Sequence, residues 1–159
     1  MNTRFPPVLA LLAVGACGNT DPAVFVEAKI VLPAAAVSVE TFGTGLTGSF
    51  QLSLHLSARA SDTSQVGVES FAIVSADQKT EIVAPLQAAA TGVTFPVSVE
   101  QDSDEVLSFT FDTTGKLLPA EKKAELCGAG GLRIKVVMND SLQGGATPVV
   151  SETFQPSGC

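Results

Sequence analysis

The chain has no tryptophan and no tyrosine, one histidine, and 9 basic residues against 16 acidic ones. Each shortage excludes something. Without Trp or Tyr, the usual platforms for stacking a sugar ring are missing, and most of the phenylalanines alternate toward the predicted interior. A single histidine rules out a histidine-cluster metal site and leaves His55 as the one imidazole base. The formal net charge of −7 argues against nucleic acid, which needs a basic footprint, and against general docking on anionic lipid headgroups. No apolar run reaches the roughly 20 residues that a membrane-spanning helix requires. Neither an internal repeat nor a low-complexity segment is present. At 159 residues, 45% of them hydrophobic, the chain has the size and material of one domain around one core.

The first residues read as an export signal. Met1-Asn2-Thr3-Arg4 is a short positive region, and Phe5 to Gly15 is apolar apart from Pro6-Pro7. That run is too short to span a bilayer and fits the apolar part of a signal peptide. It ends in Leu12-Ala13-Val14-Gly15-Ala16-Cys17. This resembles the lipobox of bacterial prolipoproteins: an aliphatic residue, two small residues and a cysteine that accepts diacylglycerol. The resemblance covers residues 1–17 and departs from the common pattern in having Val14 where Leu is more usual. It implies a cleaved signal over 1–16, a lipidated Cys17 as the mature N-terminus, and membrane attachment through that lipid. In such lipoproteins an Asp after the cysteine often causes inner-membrane retention. Gly18 stands there instead, which implies an outer-membrane address, facing the periplasm or the surface. Residues 17–22 form the lipidated cysteine and a tether, whose five residues Gly18 to Pro22 reach at most about 18 Å.

From residue 23 to 159 the pattern is that of β-structure. Phe50, Leu52, Leu54 and Leu56 alternate with Gln51, Ser53, His55 and Ser57, so one face packs and the other is wet. The same period-2 alternation predicts strands over 93–99, 107–112 and 132–139, with others at 23–32, 36–42, 66–75, 80–87 and 147–154. Pro96 marks an edge strand or a bulge. One short helix is predicted near 119–126, opening on Pro119 and Glu121 and closing before Gly128. Eight or so antiparallel strands at this spacing predict an all-β sandwich. Over about residues 105–155, a Phe-rich strand, a helical corner and a final hairpin resemble the last three strands of an immunoglobulin-like sandwich. The tyrosine corner and core Trp of that family are absent, so the resemblance is one of architecture.

Cys127 and Cys159 remain once Cys17 is acylated. If the last hairpin pairs Asn139 with Thr147, the same register sets Leu132 against Phe154, Val136 against Val150, Glu152 against Ile134, and Cys127 against Cys159. Export puts both thiols in an oxidising compartment, so a disulfide is the expectation.

Gly43-Thr44-Gly45-Leu46-Thr47-Gly48 spells a dinucleotide fingerprint, but that motif must open a helix and here the clearest strand follows. A flexible loop is the expectation. His55 falls on the wet face beside Ser53 and Ser57, with no nucleophile elbow in view. Glu100, Asp102, Asp104 and Glu105 crowd a turn and offer oxygen ligands for calcium, or form a solvated acidic turn. Lys122, Lys123, Arg133 and Lys135, half of the basic residues left after signal removal, could form a patch that steers an acidic envelope protein or a phosphorylated glycan. Alternatively they keep the helix soluble, through Glu121 and Glu125, and guard a strand edge. No cofactor is asked for. The leading expectation is a non-enzymatic envelope lipoprotein that acts as an interaction or structural module. A module binding calcium or an envelope glycan comes second and an enzyme third, since no acid, base and nucleophile assemble.

Overall fold

A computed structural model describes residues 24–159; the signal, Cys17 and the tether lie outside the described residues. Among the described residues, nine strands and one helix follow each other: β1 (Glu27–Glu40), β2 (Gly43–Leu56), β3 (Ser64–Ser75), β4 (Glu81–Val83), β5 (Ala88–Ala90), β6 (Val97–Val99), β7 (Ser103–Asp112), α1 (Lys122–Gly128), β8 (Leu132–Asp140) and β9 (Ala146–Val150). They form two antiparallel sheets, one ordered β1-β2-β7-β5 and the other β4-β3-β8-β9, with β6 also paired to β3. In immunoglobulin lettering these orders are A-B-E-D and C′-C-F-G. The fold is an all-β, immunoglobulin-like sandwich, as the strand pattern predicts, and α1 is the corner between strands E and F.

The core follows from the alternation. Leu46, Phe50, Leu52, Leu54 and Leu56 of β2 are buried, as are Leu107, Phe109 and Phe111 of β7 and Leu132, Ile134, Val136 and Met138 of β8. Phenylalanine supplies the aromatic centre. Phe109 stacks on Phe50 at 4.9 Å between centroids, meets Phe71 at 5.2 Å and lies 6.0 Å from Phe95. These spacings are those of favourable aromatic pairs.

Several expectations need correction. The two strands expected at 23–32 and 36–42 are one strand, β1. Its register against β2 shifts between Val31 and Ala34, where Leu32 adopts φ 51°. This bulge adds one residue, so inward positions change from Val26 and Ile30 to Ala35 and Val37, and the broken alternation looks like a break in the strand. The glycine-rich stretch 43–48 is no loop but the first half of β2. A side chain on Gly48 would strike the Phe111 ring and the Ala34 carbonyl oxygen, so glycine there permits close approach.

The expected strands at 80–87 and 93–99 shrink to β4 and β6, and β5, which the pattern did not predict, forms between them, three residues each. Here the chain changes sheets: β5 pairs with β7, whereas β6 returns to β3. Pro96 immediately precedes β6. The helix starts at Lys122 rather than 119. Leu118 is still held like a strand residue by two backbone hydrogen bonds with Thr44, both 2.9 Å, and Pro119 only accepts the first turn bond from Lys122 N–H.

At the end of the sandwich where β1 begins, Asp140 is 3% exposed. Its carboxylate accepts from Val26 N–H at 2.6 Å, from Leu142 N–H at 2.8 Å and from the Ser64 hydroxyl. One buried anion thus joins the entry to β1, the start of β3 and the β8–β9 turn. Asp140→Ala would leave these three donors without an acceptor. It is expected to cost about 3 kcal/mol or more, with Asp140→Asn costing less, read from denaturation midpoints. A loss under about 1 kcal/mol for the alanine variant would show that the donors find other partners.

Candidate functional site

At the opposite end, the C-terminal segment ties both sheets together. After β9, Ser151 N–H bonds the Ile134 carbonyl at 2.9 Å, and Leu132 and Phe154 exchange bonds of 2.8 and 2.9 Å. The tail then crosses to the outer edge of β1, where Val37 N–H donates to Ser157 O and Ser157 N–H to Ala35 O, both 2.9 Å. Gly158, at φ 80°, lies so close to the Val37 backbone that no side chain fits. Cys159 ends the strap in a disulfide with Cys127 of α1, with a Cα–Cα distance of 5.6 Å.

The bridge is the expected one, reached through a register that needs correction. Asn139 faces Ala146 and Val136 faces Val149, one position away from the expected pairs, and Ser151 rather than Glu152 bonds Ile134. An extra residue between Ser151 and Phe154 restores the Leu132–Phe154 pairing, and with it the alignment of the two cysteines.

The four basic residues do not form one open patch. Lys122 pairs with Glu125 at 2.6 Å and Lys135 with Glu81 at 2.8 Å. Arg133 donates from Nε to Ala76 O at 2.9 Å and from Nη1 to Ser151 O at 2.8 Å, clipping the β3–β4 turn to the strap. Lys123 is half-buried on α1.

The acidic turn does not gather its carboxylates either. Asp104 and Glu105 are successive residues of β7 and so project to opposite faces, and Asp104 binds His55 Nδ1 at 3.0 Å. Glu100 contributes its carbonyl, which accepts from Ser103 Oγ at 2.6 Å, and Asp102 sits at φ 55°. Among the described residues no three His, Cys, Asp or Glu side chains come together to hold a metal ion. His55 is on the wet face as expected, in register with Glu27 on one side and Asp104 on the other.

The sequence pattern did not mark an apolar hollow at this end. It is a groove of 340 Å³ between the β4–β5 connection and the β7–α1 connection. Ile82, Val83 and Leu86 form its floor, each no more than 6% exposed, and Leu117, Leu118 and Pro119 form a wall. Its rim carries Lys116, Lys122 and Asp112. Both sides are fixed: Leu86 N–H bonds Phe71 O at 2.8 Å, and Thr113 N–H bonds Leu46 O at 2.9 Å. Asp112 is turned to its own loop, where the Thr114 hydroxyl and then the Thr114 N–H hold its carboxyl below the usual aspartate range. The Ser75 hydroxyl and the Lys79 N–H do the same for Asp77. A wider and more polar hollow of 590 Å³ lies between the β3–β4 turn and the other side of α1.

Two measurements check this geometry. Cys127→Ala with Cys159→Ala releases a link between positions 32 apart and is expected to cost about 3–4 kcal/mol. Hydrogen exchange of the Val37 amide should then accelerate more than that of Leu132, because the strap frays from its end. Equal acceleration of both would show that the bridge acts on the whole fold. For Asp77 and Asp112 the folded pKa is depressed, so their contribution is present above the unfolded value and is lost as pH falls through the folded one. Carboxyl NMR should find both titrating below ordinary aspartates, and titration in the ordinary range would refute the Ser75 and Thr114 contacts.

No family model matches the chain, and no curated protein matches it. Among solved structures, the ASH / PapD-like domain 7 of human CEP192 overlaps 96% of this chain and 99% of its own length, at 10% identity and a TM-score of 0.32. An overlap that loose transfers neither partner nor activity, and the assignment of this chain to the immunoglobulin-like sandwiches rests on its own strand order.

Proposed function

We propose that this chain is a bacterial envelope lipoprotein, held to a membrane through a lipid on Cys17, whose sandwich serves as a non-enzymatic interaction or structural module. The observation that carries the reading is Leu12-Ala13-Val14-Gly15-Ala16-Cys17 at the end of a short apolar run behind Arg4. The Cys127–Cys159 disulfide supports export, since such bridges form and persist in oxidising compartments. The short link between Cys17 and the sandwich bears on how the domain stands. Val26 enters the fold beside Asp140, at the membrane-near end. The 14 residues of β1 then carry the chain about 45 Å away, so the strap, the helix and the apolar groove face outward from the anchor. A calcium-binding role is not proposed, because the four carboxylates of the acidic turn do not converge.

The test is metabolic labelling with palmitate. Wild-type protein is expected to incorporate label and to lose residues 1–16, whereas Cys17→Ser should stay unlabelled as uncleaved precursor. An unlabelled wild type, or a serine variant processed like wild type, would overturn the anchor.

A further inference from the structure

We infer that the groove beside α1 is a binding site for an anionic amphiphile, namely a fatty acid with its carboxylate at the lysine rim and its tail along the apolar floor. The shape comes from the topology. β4 and β5 are the edge strands on this side of the two sheets, and each is only three residues long. The sandwich is therefore not closed here, and Ile82, Val83 and Leu86, which belong to its core cluster, are reached through the opening. A volume of 340 Å³ falls in the range of small-molecule sites, which are mainly apolar with a few placed polar groups.

The charges select the headgroup. The chain as a whole is acidic, yet two of the three charged residues lining the groove are Lys116 and Lys122. Lys116 is exposed and has no ion-pair partner among the described residues. Lys122 shares its charge with Glu125. The third, Asp112, stays anionic, with its carboxylate turned to its own loop, where it accepts from Thr114 N–H at 2.7 Å. An amphiphile with one negative end matches a largely apolar groove whose lining offers the unpaired Lys116 and the Glu125-paired Lys122 as cations. The walls are already held by the Leu86 and Thr113 backbone bonds, so binding requires little ordering of the protein.

The site is tested with a twelve-carbon fatty acid carrying a diazirine near its tail end, applied to membranes that contain the full chain and then irradiated. Crosslinks are expected in peptides covering residues 82–87 and 113–119, and excess dodecanoate should suppress them. The matched twelve-carbon alcohol should label these peptides far less. Lys116→Glu combined with Lys122→Gln should lower labelling by about tenfold, the size expected when a charge-assisted contact is lost. Ala84→Trp, which fills the groove from an exposed position, should lower it as well, while Lys29→Glu on β1 should leave it unchanged. Circular dichroism confirms that each variant is folded. Labelling spread over the whole domain, equal labelling by the alcohol, or labelling indifferent to both groove variants would overturn the proposal. So would displacement of the probe by an uncharged apolar peptide but not by dodecanoate, which would make the groove a peptide site. Because the readout maps to the sandwich itself, it stands or falls separately from lipidation at Cys17.

Discussion

A buried carboxylate with no cation beside it among the described residues organises this molecule. Asp140 would be costly to bury alone, and it is stable in place because three donors from distant parts of the chain converge on it. The requirement works in both directions. The anion needs Val26, Ser64 and Leu142 where they are, and those backbone and hydroxyl groups need an acceptor once water is excluded. The outcome is a fixed starting point for β1, set against β3 and the β8–β9 turn of the other sheet. From that point the long A strand has only one direction to run, and its far end meets the C-terminal strap. The two sheets are thus joined at one end by hydrogen bonds to a charge and at the other by a covalent bridge, with the phenylalanine cluster between them.

Much of this was legible where periodicity was undisturbed. The strands β2, β7 and β8 announce themselves by clean alternation, and the helix by its proline and acidic start, though Thr44 holds Leu118 in extended form and delays it by three residues. The pattern fails where the backbone departs from a plain ladder. The bulge at Leu32 inverts the inward parity of β1, and the glycines at 43–48 resemble a loop because composition does not show that Phe111 and Ala34 lie against Gly48. Between residues 80 and 99 the chain changes sheets, so each strand is too short to display a period.

The bridge between Cys127 and Cys159 was legible for a partly mistaken reason. A uniform register through the last hairpin aligns the cysteines, but the actual ladder is offset by one and corrects itself past Ser151. Two departures cancel. The pairing of Lys122 with Glu125, three positions on, was within the reach of the sequence, but the fates of Lys135 and Arg133 were not legible, because their partners are far away: Lys135 meets Glu81 across 54 positions, and Arg133 reaches back 57 to Ala76. The groove was hidden for a related reason. It is assembled from two separate connections and exists because two edge strands stop early.

The strap has a consequence for crowding. Sheet edges present unpaired backbone groups that can recruit a strand from another molecule, and proteins held on a surface meet one another at high lateral density. Here the edge of β1 near Val37 is occupied by the chain's own last residues, and the covalent link to α1 keeps them from lifting away. The protein carries a built-in competitor for any neighbour that would add itself at that position. Neighbouring copies can crowd together while this edge remains closed to sheet extension.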